Sequence, residues 1–343
     1  MHKLLRITSS GLYCPSGDFF IDPWEAVDRA VITHCHSDHA RRGSKNYFAQ
    51  RDCRMILMSR LGGHITLDSW EYGQPRKMND AWVSIHPAGH ILGSSQIRIE
   101  VDGKVAVVTG DYKREQDPTC APFECVECDL LVTESTFGLP IFKWPPFSDV
   151  MDEIHAWWRS NQSHGKTSVL LAYAAGKAQR LLSSLDASIG PIVLHGAIKY
   201  PTEAYRTSGI SFPPYRTVQE FPTKMDWSQC LVLAVPGAQG TPWIRRFGDV
   251  SIAMASGWMA VRGMKRRRGV DRGFVVSDHV DWRGLIHTVD ESKASNVWVT
   301  HGFSNVVSRY LTEQGKQAQP LATQFLGEVE QDSEPGNLEE SSQ

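Results

Sequence analysis

Apolar runs in this chain are short, and several of them end in residues that can do chemistry. Residues 104–109 and 130–133 have the length and β-branched content of buried strands, and each leads directly into an acidic group, Gly110-Asp111 and Glu134-Ser135. Carboxylates are therefore expected at strand ends. Beyond Phe147 the pattern changes to helical spacing, with Ser148 as the expected N-cap of a helix through Met151, Ile154 and Trp158. A strand at 168–172, a helix at 177–188 and strands at 191–194, 230–235 and 250–255 follow, an alternation that builds a parallel α/β layer. A strand at 273–276 leads to Ser277-Asp278-His279, then a helix at 282–291 and a strand at 296–300 that delivers His301-Gly302. From about Glu328 the chain is acidic and Ser-rich, and disorder is expected there.

The densest chemistry follows the apolar triplet Ala30-Val31-Ile32. Residues Thr33-His34-Cys35-His36-Ser37-Asp38-His39 place three imidazoles and a carboxylate within six positions. A strand end followed by a tight turn aims alternate side chains into one cleft, so this run can hold metal ions side by side. The bland reading is a polar turn carrying scattered surface histidines. Cys125-Val126-Glu127-Cys128, with Cys120 nearby, offers a second candidate site, but no further CxxC completes a zinc set and ordinary thiols are expected.

Composition narrows the function classes. With 343 residues and 41% hydrophobic content the chain can bury one large core or two ordinary ones. A net charge of −2 argues against a whole-molecule electrostatic grip on nucleic acid, so any such grip must be local. No secretory leader and no apolar stretch near the roughly 20 residues of a membrane span is visible, and the seven cysteines form no framework; a soluble cytoplasmic protein without membrane partners is expected. Two local features could hold phosphates. Arg262, Lys265, Arg266, Arg267 and Arg268 put five cations into seven positions, and Lys177 stands at a helix start. Against these stands the reading of a solvated charged loop. Of the 11 tryptophans, Trp144, Trp157, Trp158, Trp243 and Trp258 fall in the middle region, where one or two could stack on bases and most are expected in the core. His64, His86, His155, His164, His195 and His287 are read as structural or surface residues.

These motifs carry a family resemblance. Residues 33–41, the segment Pro87-Ala88-Gly89-His90-Ile91-Leu92-Gly93-Ser94-Ser95-Gln96, the segment Thr109-Gly110-Asp111-Tyr112-Lys113 and the segment Thr133-Glu134-Ser135-Thr136-Phe137-Gly138 resemble the metallo-β-lactamase-fold nucleases of the β-CASP group. Within that group the chain looks most like the bacterial ligase-associated DNA repair exonucleases, often labelled mRNA 3′-end processing factors. Gly11-Leu12-Tyr13-Cys14, Ile21-Asp22-Pro23-Trp24 and the helix start Ala175-Gly176-Lys177-Ala178-Gln179 extend the match over most of the chain.

The resemblance implies an α/β protein: a four-layer αββα metallo-β-lactamase domain from residues 1–142 and 272–330, a β-CASP α/β cap inserted at 143–271, and a disordered tail at 331–343. It further implies that His34, His36 and His90 bind one divalent ion and Asp38, His39 and His301 a second, with Asp111 bridging and Asp22 buttressing the histidine loop from behind. The expected ions are two Zn2+, with Mn2+ the alternative. In the family a histidine in the position of His279, oriented by the acid in the position of Glu134, protonates the leaving group. Hydrolysis by two metals needs no separate general base, because a bound water ionises near neutral pH. The implied activity is exonucleolytic hydrolysis of DNA, single-stranded or with an end, alongside an ATP-dependent DNA ligase and a helicase of the same bacterial repair system. Two readings compete. A histidine at the final motif is associated in the group with RNA substrates and a valine with DNA, and this chain has His301; an RNA-processing ribonuclease is therefore the alternative. A small-molecule hydrolase of the same fold would keep the metal ligands without the inserted cap or the Glu134 and His279 pair.

Overall fold

The computed structural model describes residues 3–222 and 224–323. They form two compact units, one made of the chain up to Lys143 together with the segment from Asp278 onward, the other of Trp144–Ser277. The expected disorder beyond Glu328 lies outside the described residues. No described helix is long and apolar enough to cross a membrane.

The first unit holds two sheets. One has six strands in sequence order, Arg6–Thr8, Gly11–Cys14, Phe19–Ile21, Arg29–Val31, Asn46–Gln50 and Thr66–Trp70; the last four run parallel to one another. The other has seven, in the order Gln317–Pro320, Asn296–Thr300, Leu130–Glu134, Lys104–Val108, Ser95–Val101, Ala81–Pro87 and Arg76–Met78. Leu12, Phe19, Ile21 and Val31 of the first sheet share a buried core with Val83, Ile97, Ile99, Val108 and Val132 of the second. On the opposite face of the seven-stranded sheet, Val107, Leu131, Val297 and Val299 pack against Leu285 and Val289 of the helix Trp282–Glu291 and Val307 and Leu311 of the helix Ser304–Glu313. Strands buried on both faces need apolar side chains at successive positions, which is why Leu130–Glu134 reads as a continuous run.

Parallel pairing positions the chemistry. Lys104–Val108, Leu130–Glu134 and Asn296–Thr300 are parallel neighbours, with Val108 opposite Val132 and Glu134 opposite Thr300. Their carboxyl ends therefore lie at one edge, and Asp111, Glu134 and His301 follow there. The chain leaves this edge after one strand and returns in register beside it, so the excursion through Trp144–Ser277 does not interrupt the sheet.

The second unit contains an all-parallel six-stranded sheet in the order Arg216–Thr217, Ile192–Leu194, Leu231–Ala234, Thr167–Leu171, Val250–Ala255 and Arg272–Phe274. Apolar clusters cover its two faces; one includes Ile154 and Trp158 of the helix Phe147–Ser163, and the other Ile244 and Phe247. Three expectations need correction. The helix starts at Phe147 with Pro146 as its N-cap, so Ser148 lies inside the first turn and caps nothing. The helix expected to reach 188 ends at Ser184, where Leu185 turns extended and buries its side chain in the core. Return to the first unit comes not at 272 but at 278, because Arg272–Phe274 pairs with Val250–Ala255 and forms the edge of the second unit's sheet.

One glycine is fixed by this arrangement. Gly110 carries the chain away from Val108 with φ of 57°, and a methyl group there would stand 2.7 Å from Cβ and Oγ1 of Thr33 in the other sheet's outgoing loop. Gly110→Ala is expected to cost about 2–4 kcal/mol from the left-handed backbone and the steric push on Thr33 together. Urea unfolding should show this as a lower midpoint at unchanged slope; an unchanged midpoint would mean that Thr33 yields freely.

Candidate metal centre

Three loops meet at the edge where the strands of the first unit end. The histidine loop follows Arg29–Val31 and is held from outside: Ser95 donates its N–H to Thr33 O at 2.8 Å, Ala40 donates to His36 O at 2.9 Å, and the Arg60 guanidinium donates to Cys35 O. Its orientation comes from Asp22. That residue ends the strand Phe19–Ile21 with φ of 43°, a left-handed conformation that Asp tolerates better than most residues, and it is buried. Its Oδ1 accepts the Thr33 N–H at 2.8 Å, and its Oδ2 accepts the Thr33 hydroxyl at 2.5 Å and His39 Nδ1–H at 2.7 Å.

These bonds decide which nitrogens face inward. With its proton given to Asp22, Thr33 Oγ1 accepts from His34 Nδ1 at 3.1 Å, which leaves His34 Nε2 with a lone pair. His90 Nδ1 donates to the Asp278 carbonyl at 2.7 Å, which does the same for His90 Nε2. Both nitrogens stand 3.2 Å from His36 Nδ1, and Asp111 Oδ2 lies 3.5 Å from His34 Nε2 and 3.9 Å from His90 Nε2. Four donors about 2.0–2.1 Å from a tetrahedral ion would be separated by roughly 3.3–3.4 Å. The spacing fits an ion, and without one the converging lone pairs repel.

A second group adjoins the first. Asp38, His39 and His301 bring ligand atoms within 4.8 Å of one another, and the rings of His39 and His301 stack in parallel with centroids 5.3 Å apart. His39 Nε2 is 3.6 Å from Asp38 Oδ2 and 3.4 Å from Asp111 Oδ2, so Asp111 stands between the groups. Two buried carboxylate oxygens, Asp38 Oδ1 and Asp111 Oδ1, have no hydrogen-bond donor among the described residues. Such oxygens are costly unless a cation serves them, and with the imidazoles around them they fit a pair of divalent ions.

Electrostatics agrees with geometry. Burial holds the His34 and His90 imidazoles well below their usual range, with neighbouring histidines adding to the effect, and burial also lowers His301. These three are ready as neutral ligands. Burial would lower His39 too, but the carboxylates of Asp111 and Asp38 outweigh it and hold His39 well above the usual imidazole range. Burial opposes ionisation of Asp111, yet His39 and His279 hold it well below the ordinary carboxylate range.

A third group completes the edge. His279 Nδ1 lies 2.9 Å from Glu134 Oε2 and 3.0 Å from Oε1, and Glu134 Oε1 also accepts the Tyr112 N–H at 2.8 Å. His279 Nδ1 is 4.0 Å from Asp111 Oδ2, and its ring leans on Phe137 and His90. The carboxylate fixes the tautomer with the proton on Nδ1, so Nε2 is the nitrogen available for proton exchange.

The remaining sequence candidates lie elsewhere. Lys177 is fully buried, its ammonium 4.6 Å from the centre of the Tyr173 ring, so it does not present itself to a phosphate as expected. Arg262, Lys265, Arg266 and Arg267 are exposed on and before the short helix Met264–Arg267, while Arg268 is half-buried. Among the described residues no cysteine belongs to a group able to hold a metal, Cys120, Cys125 and Cys128 form no disulfide, and the Cys120 thiol donates to Gly89 O at 3.4 Å. Trp157 and Trp158 are buried, their ring N–H groups donating to Ser251 Oγ and Gln229 O. His195 caps the helix Gly196–Thr207, and His86 and His155 hydrogen-bond Glu124 and the Asp186 N–H. Two contributors were given no role from the sequence: Thr33, whose only signal is its place before His34, and Lys113, whose burial no local pattern announces.

No family model matches the chain, but individual proteins do. It is 30% identical over 312 residues to a protein of Opitutus terrae named Probable DNA ligase, an alignment covering 90% of this chain and 30% of that protein. An RNase J-like protein of Methanocaldococcus jannaschii is 25% identical, covering 53% of this chain and 50% of its own length, and Endoribonuclease ysh1 of Aspergillus fumigatus is 30% identical, covering 35% and 14%. The chain thus spans half or less of each of these curated relatives. A solved protein of unknown function from Enterococcus faecalis superposes with a TM-score of 0.57 at 12% identity, covering 87% of this chain and 79% of that one, a likeness of fold. With the paired histidine and aspartate groups at the strand ends, these likenesses are consistent with the resemblance to the metallo-β-lactamase-fold and β-CASP nucleases.

Proposed function

We propose that this chain is a metal-dependent phosphodiesterase that degrades DNA from an end and serves bacterial DNA repair. The observation that carries the reading is the position of Asp111, within reach of both ligand groups and of the acid–base pair His279 and Glu134. His34, His36 and His90 would hold one divalent ion, Asp38, His39 and His301 the other, with Asp111 shared. A set of imidazoles and carboxylates without thiolate suits Zn2+ first and Mn2+ second. Bound there, the ions supply Lewis acidity and activate water at neutral pH. Finer assignments go with this: the first unit reads as the four-layer αββα domain and the second as the inserted cap.

The protein's own contribution is the leaving group. Phosphodiester cleavage expels an alkoxide, which needs a proton as the bond to phosphorus breaks. His279 in its imidazolium form can give up the Nε2 proton while Nδ1 remains on Glu134, whose charge stabilises the imidazolium. Substrate grip would come from the exposed strip Arg262, Lys265, Arg266 and Arg267, since the chain's net charge of −2 is too small to hold a polyanion.

DNA is favoured because the relative that is 30% identical across 90% of this chain is named for DNA ligase, while the ribonuclease likenesses either cover only 53% and 35% or, where one covers 83%, are 20% identical. A ligase and a helicase are the partners expected from that context. RNA cleavage is the second reading, supported by those names and by His301. His301 would be a metal ligand, whereas discrimination between the two nucleic acids depends on contacts to the 2′-OH.

Three outcomes follow. Purified active protein should carry about two ions per chain by elemental analysis, and Asp111→Ala should lose metal and activity together; one ion in fully active protein would remove the two-metal assignment. His279→Ala should lower turnover by roughly 10²–10⁴ fold with metal content unchanged, whereas loss of metal would mark His279 as a ligand. Linear single-stranded DNA should be shortened faster than RNA of the same sequence, and closed circles of either should survive. Efficient cutting of circles would make the protein an endonuclease, and faster turnover of RNA would select the second reading.

A further inference from the structure

Behind the centre lies a buried ionic group that the reading above does not use. Lys113 is fully buried, its Nζ 2.6 Å from Asp117 Oδ2, 3.4 Å from the carbonyl oxygen of His90 and 3.7 Å from Asp278 Oδ1. Asp117 is fixed in turn by Thr119, which donates both its N–H and its hydroxyl to Oδ1 at 2.9 and 2.6 Å. Lys113 donates its own N–H to Ala88 O at 3.0 Å, and a side chain at Gly89 would stand 2.3 Å from Lys113 O, so the backbones of the His90 loop and the Asp111 loop are in direct contact here. The third strand of this knot is the segment carrying the acid: Asp278 gives its carbonyl to His90 Nδ1 and its carboxylate to the field of Lys113, and His279 is the next residue.

A cation without solvent is expensive unless its partners have fixed positions. That cost can be recovered as geometry, since one ammonium with two hydrogen-bond acceptors and a paired carboxylate, on separate loops, sets their spacing. We propose that Lys113 is a positioning residue: it locks Asp278 against the His90 loop and so holds the His279 imidazole at a fixed place relative to the ligand His90. The proposal rests on the reading of His279 as the acid.

The reaction's own chemistry offers a test that separates alignment from general damage. Protonation matters when the leaving group is a sugar alkoxide and matters little when it is p-nitrophenolate, which departs unaided. Lys113→Met removes the charge at similar volume, and Asp278→Asn weakens the tie while keeping the backbone carbonyl to His90 and costing less in folding. For both variants turnover of DNA should fall by roughly 10–100 fold, with KM little changed and metal content intact, as for supports of metal ligands and small misplacements of reacting groups. Turnover of a p-nitrophenyl ester of thymidine 5′-phosphate should stay within about threefold of the wild type. In the metal-free protein the Nδ1–H signals of His90 and His279, seen by ¹⁵N NMR, should exchange with solvent faster than in the wild type. Equal losses on the two substrates, or no loss on DNA with unchanged exchange, would overturn the proposal. If Lys113→Met does not fold, Asp278→Asn decides alone. A wild-type protein that holds its metals yet cleaves neither substrate would instead overturn the phosphodiesterase reading.

Discussion

Asp22 is the anchor of the candidate metal centre, because one buried carboxylate sets the orientation of a histidine in each of the two candidate ligand groups. It grips His39 directly and His34 through the Thr33 hydroxyl, and its Oδ1 holds the Thr33 backbone, so the loop cannot turn without losing three hydrogen bonds. The imidazole nitrogens that face inward do so because the opposite nitrogens are already committed. A left-handed φ at Asp22 and a methyl-free Gly110 against Thr33 are the backbone conditions for this arrangement, and both are met at strand ends, where the sheet no longer dictates conformation.

Much of the candidate site's arrangement was legible because strand ends confer a direction on the residues that follow them. An apolar run ending in Gly110-Asp111 or Glu134 tells both that the strand is buried and that a carboxylate emerges at its carboxyl end, and parallel pairing then gathers those ends at one edge. The run from His34 to His39 was legible for the same reason. What escaped the sequence was solvation. Lys177 and Lys113 look like solvent-facing cations until the fold encloses them, one against the Tyr173 ring and the other among Asp117, Asp278 and a carbonyl, and no local spacing reports that three distant loops converge on one ammonium. Helix limits failed for a related cause: Leu185 leaves the helix because the core claims its side chain.

Charge in the first unit is arranged so that two kinds of histidine coexist within a few ångströms. Those set among other imidazoles and apolar walls lose affinity for protons, while His39, ringed by carboxylates, gains it. The difference arises from neighbours, since all are buried. Loading with cations would therefore displace a proton from the His39 group and little from the group of His34 and His90, so that the two groups would answer differently to acid.

The pairing of Leu130–Glu134 with Asn296–Thr300 has a consequence for the birth of the protein. Ser135 donates its hydroxyl to the carbonyl of His301 at 2.5 Å across 166 positions of chain, and both groups of ligands meet at the edge that this pairing completes. During synthesis the run from His34 to His39 emerges before Trp144–Ser277, whereas His301 leaves the ribosome only after the whole of that unit has followed. A nascent chain interrupted before Asn296–Thr300 therefore carries only half of the candidate centre, and the two groups come together only once that strand has emerged.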